Sequence, residues 1–117
     1  MKKEFFFRSI INSQKENSSE KISKTIITSL SIEDFRIIEF QPYWKDQTKY
    51  LFEISFFKEA SSASELQCEL LRVMSKMSST WKIILDENYS LENSNFSAAS
   101  EFLKLPGVDW VNIEYVV

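Results

Sequence analysis

The only groups in this 117-residue chain suited to acid/base chemistry are carboxylates. Asp86 and Glu87 are adjacent. Glu39 and Glu53 fall on two strand-like runs that can face each other across a hairpin, so a two-carboxylate hydrolytic site of the glycosidase kind is the one catalytic arrangement these residue types could build. Asp86, Glu87 and Glu92 could also offer oxygens to a hard cation, but without the regular spacing and turn glycine of a calcium-binding loop.

Other familiar chemistries lack their parts. With no histidine, neither a Ser/His/Asp nor a Cys/His arrangement can be assembled. Cys68 is the single cysteine. It lies inside an amphipathic helical pattern rather than at a helix start, where its thiol would be activated, and it reads as a small, partly buried hydrophobe beside an apolar stripe. Gly107 is the one glycine, so no glycine-rich phosphate loop can form. The expectation is a chain with no catalytic residues, no cofactor and no metal, one that acts by binding.

Binding points to a different set of residues. Tyr43 and Trp44 fall in a polar hairpin loop, Tyr89 in an acidic loop, and Trp110 beside Asp109 on the polar side of the last strand. Tyrosine and tryptophan among charges are typical of interface anchors, because they bury large area at little rotamer cost and keep a polar handle. The sequence therefore nominates Asp86, Glu87, Tyr89, Glu92, Asp109, Trp110 and Glu114 as one acidic-aromatic patch, with Tyr43 and Trp44 as further partner-binding residues.

Bulk properties bound the partner. Residues 1–60 carry 10 Lys+Arg and 9 Asp+Glu, and residues 61–117 carry 4 and 8, so the net charge of -3 is C-terminal. That sign argues against nucleic acid, whose binding rests on basic residues neutralising phosphates, and favours a basic protein. No apolar run reaches the roughly 20 residues that span a bilayer, and Arg8 breaks the opening Phe5-Phe6-Phe7 run, so the start reads as a mature N-terminus. A lone cysteine fits a reducing compartment, and the expected location is the cytoplasm.

The elements that must position these residues follow from periodicity. Residues 3–11 are aromatic and β-branched, the signature of a half-buried strand. Asn17 and Glu20 have the form of a capping box ahead of Ile22, Ile26 and Leu30, predicting a helix over 19–30. Residues 35–41 and 49–57 predict a hairpin with a longer loop; Tyr50, Phe52, Ile54 and Phe56 share one face, and Leu51 and Phe57 lie on the other. Ser62 and Glu65 cap a helix over 62–77 whose Leu66, Leu70, Val73, Met74 and Met77 form one stripe. A fourth strand is expected over 81–86, a polar loop over 86–95, a short helix over 96–103, a turn at Leu105-Pro106-Gly107 and a closing strand over 108–117. Phe5, Phe7, Phe52, Phe56 and Phe102 are the expected core aromatics.

This order makes one α+β domain over 1–117, a ferredoxin-like split βαβ sandwich (β-α-β-β-α-β) with a C-terminal short helix and an extra strand. RNA-recognition domains use such a sheet, but their basic-glycine-aromatic strand motif is missing here.

In size, acidity and its carboxylate-plus-aromatic surface, the chain resembles the immunity proteins of bacterial toxin systems, contact-dependent growth inhibition among them. The resemblance implies a cognate protein toxin, such as a basic nuclease, as the partner, neutralised by masking of its active site. An alternative from another class is a small ligand-binding or regulatory domain that dimerises through the Leu51 and Phe57 side of the hairpin; the sequence leaves monomer or homodimer undecided.

Overall fold

The computed structural model describes residues 1–85 and 94–116. These residues form an α+β structure: a six-stranded, wholly antiparallel sheet and two α-helices.

Alternation builds the sheet. In β1 (Lys2–Ile11), Phe5, Phe7, Ser9 and Ile11 are buried on one face while Phe6, Arg8 and Ile10 point to the other. β3 (Tyr50–Glu59) pairs with β1 along its whole length, setting Phe56, Ile54 and Phe52 beside Phe5, Phe7 and Ser9. β2 (Phe35–Pro42) pairs with β3 and forms one edge. On the other side of β1 lies β6 (Val108–Tyr115), then β5 (Asn95–Ala99), then β4 (Lys82–Ile84) at the far edge.

Both helices pack on the same sheet face. From α1 (Glu16–Leu30), Ile26 and Leu30 enter the core, and α2 (Ala63–Met77) contributes the expected Leu66, Leu70, Val73, Met74 and Met77 stripe. Ser62 caps α2, its hydroxyl accepting from Glu65 N–H at 3.2 Å, and the Glu65 carboxylate reaches back to the Ser61 N–H and hydroxyl. Among the described residues, no helix lies on the opposite face of the sheet.

The structure departs from the sequence reading at five places. The strand that flanks β1 on the side away from β3 is β6, not the strand that follows α2. β6 offers Val108, Val111, Ile113 and Tyr115 to the core, whereas β4 has three exposed residues and sits at the far edge. The short helix expected over 96–103 is β5 followed by a 3-10 turn at Ser100–Phe102: Phe96 and Ala98 alternate into the core opposite Ile113 and Val111, and that pairing outweighs the local helical pattern. Phe102, expected inside, is 41% exposed because this turn carries it out of the sheet. Cys68 is exposed: two residues from both Leu66 and Leu70, it lies on the side of α2 opposite the buried stripe at 3.6 residues per turn. α1 begins at Glu16, and its N-cap Lys15 makes no side-chain cap; the Ser13 hydroxyl instead accepts from Lys15 N–H at 3.2 Å, starting the helix earlier than the Asn17 box implied.

Candidate functional site

The helix-free face carries an open groove of about 580 Å³. Its floor is Arg8 and Ile10 of β1 with Leu51 and Glu53 of β3. These residues are neighbours by register, Arg8 opposite Glu53 and Ile10 opposite Leu51. Arg8 Nε donates to Glu53 Oε2, and the Arg8 guanidinium lies 5.4 Å from the Phe6 ring centroid. An ion pair flanked by two aliphatic side chains therefore forms the base.

Aromatic side chains make the walls. Trp110 of β6 stands opposite Ile10 and rises on one side. On the other, the β2–β3 loop brings Tyr43 and Trp44, their rings 5.8 Å apart and inclined at 65°. Lys45 Nζ sits 4.9 Å from the Trp44 ring, so that wall combines a π face with a cation. Trp44 is 70% exposed, far more than a tryptophan of its size needs to be unless something covers it.

The loop that holds these residues is internally braced. Tyr43 N–H donates to Lys49 O at 2.9 Å, closing the hairpin, and Lys49 N–H donates to Asp46 O at 3.0 Å. The Asp46 carboxylate accepts from Thr48 N–H at 3.1 Å and from the Thr48 hydroxyl at 2.6 Å, and these bonds hold its pKa below the ordinary value. Lys49 then ties the loop to β6 through Asp109 at 2.6 Å, an interaction that raises the Lys49 pKa.

The structure thus brings Tyr43, Trp44 and Trp110, nominated separately, onto one groove, with Asp109 next to it through Lys49. Glu114 shares the Trp110 face of β6 and accepts from Asn95 Nδ2 at 3.2 Å; Asn112 Nδ2 in turn donates to Asn95 Oδ1. Asp86, Glu87, Tyr89 and Glu92 lie outside the described residues. Glu39 and Glu53 do stand opposite each other on β2 and β3, side by side on neighbouring strands, with Glu53 engaged by Arg8. Among the described residues no group of three potential metal ligands comes together.

No family model matches this chain, and no curated protein matches its sequence. The groove's chemistry therefore rests on its own residues. Sequence reasoning overlooked Arg8, Ile10 and Lys45 as groove residues, and took Glu53 only as a partner of Glu39 and Leu51 only as part of a dimer face. The signal was available in β1 and β3: once Phe5 and Phe7, and Phe52 and Ile54, are assigned inward, strand alternation sends Arg8, Ile10, Leu51 and Glu53 to the opposite face.

Proposed function

We propose that this chain is a non-catalytic binding protein of the immunity class, acting in the cytoplasm to capture and neutralise a cognate protein toxin. The observation that carries this reading is the convergence of Tyr43, Trp44 and Trp110 on one groove over the Arg8–Glu53 pair. Accessible aromatics around a half-buried ion pair have the composition of an interface hot spot, with the rings supplying area and the pair supplying register. The ferredoxin-like reading of the first half belongs to the same proposal: β1, β2 and β3 lie in the order β2-β3-β1 with the helices on one face, as in a split βαβ unit.

The charge mechanism is narrower than the sequence suggested. Asp109 is taken up by Lys49 and Glu53 by Arg8, so the groove recognises by aromatic burial, and the net negative charge of residues 61–117 steers association. A second reading is favoured by size alone: about 580 Å³ falls in the range of small-ligand sites, which suits a ligand-binding or regulatory domain.

Calorimetry with the product of an adjoining toxin gene tests the first reading. A sub-micromolar complex is expected, weakened about 30-fold or more by Trp44→Ala or Trp110→Ala. Absence of a complex, or one indifferent to both substitutions, overturns it.

A further inference from the structure

We propose that β2 is the seam of a twofold homodimer, in which the β2 strands of two copies pair antiparallel and continue the sheet across the interface. The proposal does not rest on the groove function: its contacts are at the outer edge of β2, whereas the groove floor is formed by β1 and β3. Among the described residues β2 is an edge strand, with β3 on one side and no strand on the other. It is also apolar where an edge is usually guarded, with Ile37 53% and Ile38 40% exposed.

The occupant is argued from self-complementarity. Antiparallel pairing about a twofold axis between Ile37 and Ile38 sets Arg36 against the partner's Glu39, and Glu39 against the partner's Arg36. It sets Phe35 against the partner's Phe40, and Ile37 against the partner's Ile38. Residues three apart in a regular strand lie on opposite faces, which would forbid this register for an axis perpendicular to the sheet. The bulge in β2 removes the obstacle: Ile37 pairs with Ile54 and Glu39 with Glu53, leaving Ile38 as the extra residue. Arg36 and Glu39 therefore face the helix-free side together, opposite Ser55 and Glu53, while Phe35, Ile37 and Phe40 face the helix side opposite Phe56, Ile54 and Phe52.

Electrostatics favours the same arrangement. Neither Arg36 nor Glu39 has an ion-pair partner among the described residues, and Glu39 stands directly across from Glu53, a like-charge neighbour. The partner's Arg36 would supply the missing cation, giving a row across the sheet of Arg36 from the partner, then Glu39, Glu53 and Arg8. On the other face, an apolar groove of about 640 Å³ between β2 and α1, lined by Phe35, Ile37, Phe40 and Ile27, would be narrowed by the partner's apolar side chains. All four helices of such a dimer lie on one side of a twelve-stranded sheet.

A single strand edge buries little area, so the dimer belongs to the weak class and is expected to form at roughly 100 µM and dissociate on dilution. Sedimentation equilibrium of the full chain from roughly 10 µM to 1 mM tests this. Arg36→Glu and Glu39→Arg should each weaken dimerisation about tenfold by placing like charges together at both symmetry-related contacts. The double variant restores complementarity with the signs exchanged and should dimerise as the wild type does. Circular dichroism confirms that each exposed substitution leaves the fold intact. A monomer up to 1 mM, or a dimer that neither single reversal weakens, overturns the proposal, as does a double variant no better than the singles.

Discussion

Arg8 and Glu53 stand directly opposite each other on β1 and β3, with Arg8 Nε donating to Glu53 Oε2 at the base of the aromatic groove. The two ends of this pair are unequally solvated: the Glu53 side chain is 9% exposed and that of Arg8 48%. Removing the guanidinium strands a buried carboxylate, and removing both charges strands nothing. Arg8→Met is expected to cost about 1–3 kcal/mol, below the figure for a fully buried pair because Arg8 retains much of its hydration. In a Glu53→Leu background the same substitution should cost far less. Urea unfolding of the four members of this cycle reads the coupling, and equal costs in both backgrounds would show that the pair contributes none.

Trp44 and Trp110 should separate stability from binding. Trp44 projects from the hairpin loop with little to lose on truncation, so Trp44→Ala is expected to change unfolding free energy by no more than about 0.5 kcal/mol. Trp110 packs against β1 and β5 in the sheet, opposite Ile10 and Ala99, and Trp110→Ala is expected to cost about 1–3 kcal/mol. Denaturant unfolding followed by far-ultraviolet circular dichroism checks both, since tryptophan fluorescence itself changes in these variants. A large loss from Trp44→Ala would mean that the ring supports the loop rather than awaiting a partner.

What the sequence could reveal depended on how local the governing contacts were. The α2 stripe and the Tyr50, Phe52, Ile54 and Phe56 face were legible because each is decided within one element: a period of 3.6 or of 2 names the buried side. The place of β6 was not, since nothing within residues 108–117 says that the strand lies beside β1, a hundred residues earlier in the chain. β5 was misread as a helix for the same reason, its Phe96 and Ala98 being ordered by Ile113 and Val111 rather than by their own neighbours. The groove stood halfway between these cases. Its aromatics were conspicuous as residue types in polar surroundings, but their convergence required the hairpin loop and β6 to flank the same pair of strands. Glu53 was noticed only as a possible partner of Glu39, and Arg8 only as the break in the opening phenylalanine run; that the two pair with each other follows from the β1–β3 register, which neither strand reveals alone.

Lys49 and Asp109 give the alkaline limb of stability a specific origin. The hydrogen bond to Asp109 raises the Lys49 pKa in the folded state. A raised lysine pKa contributes stability that is fully present below the unfolded value, about 10.4, and is lost as pH climbs through the folded value. Lys58 works in the opposite sense: burial lowers its pKa, so its deprotonation relieves a penalty as pH rises. The quantity that isolates Lys49 is therefore the difference between wild type and Asp109→Asn. That difference is expected to be constant near neutrality and to shrink above pH 10 in denaturant titrations. A difference that stays flat to pH 11.5 would remove the ion pair as its source.

Gly107 is the residue whose backbone the C-terminal turn cannot do without. Val108 N–H donates to Leu105 O at 3.3 Å across a turn with Pro106 second and Gly107 third, and Gly107 has φ = +80°, the conformation a type II turn demands there. Its carbonyl accepts from Asn12 N–H at 2.7 Å, fastening the end of β1 to the start of β6. A Cβ at this position would also meet Ile22 Cδ1 of α1 at 2.7 Å. Gly107→Ala is therefore expected to cost about 1–2 kcal/mol from the left-handed backbone alone, with a further penalty from displacing Ile22. Ile22→Val removes the Cδ1 atom, so the penalty of Gly107→Ala measured in that background should fall to the backbone part. Thermal unfolding of the two single variants and the double variant separates the contributions, and a Gly107→Ala protein as stable as wild type would mean that the turn can adopt another form.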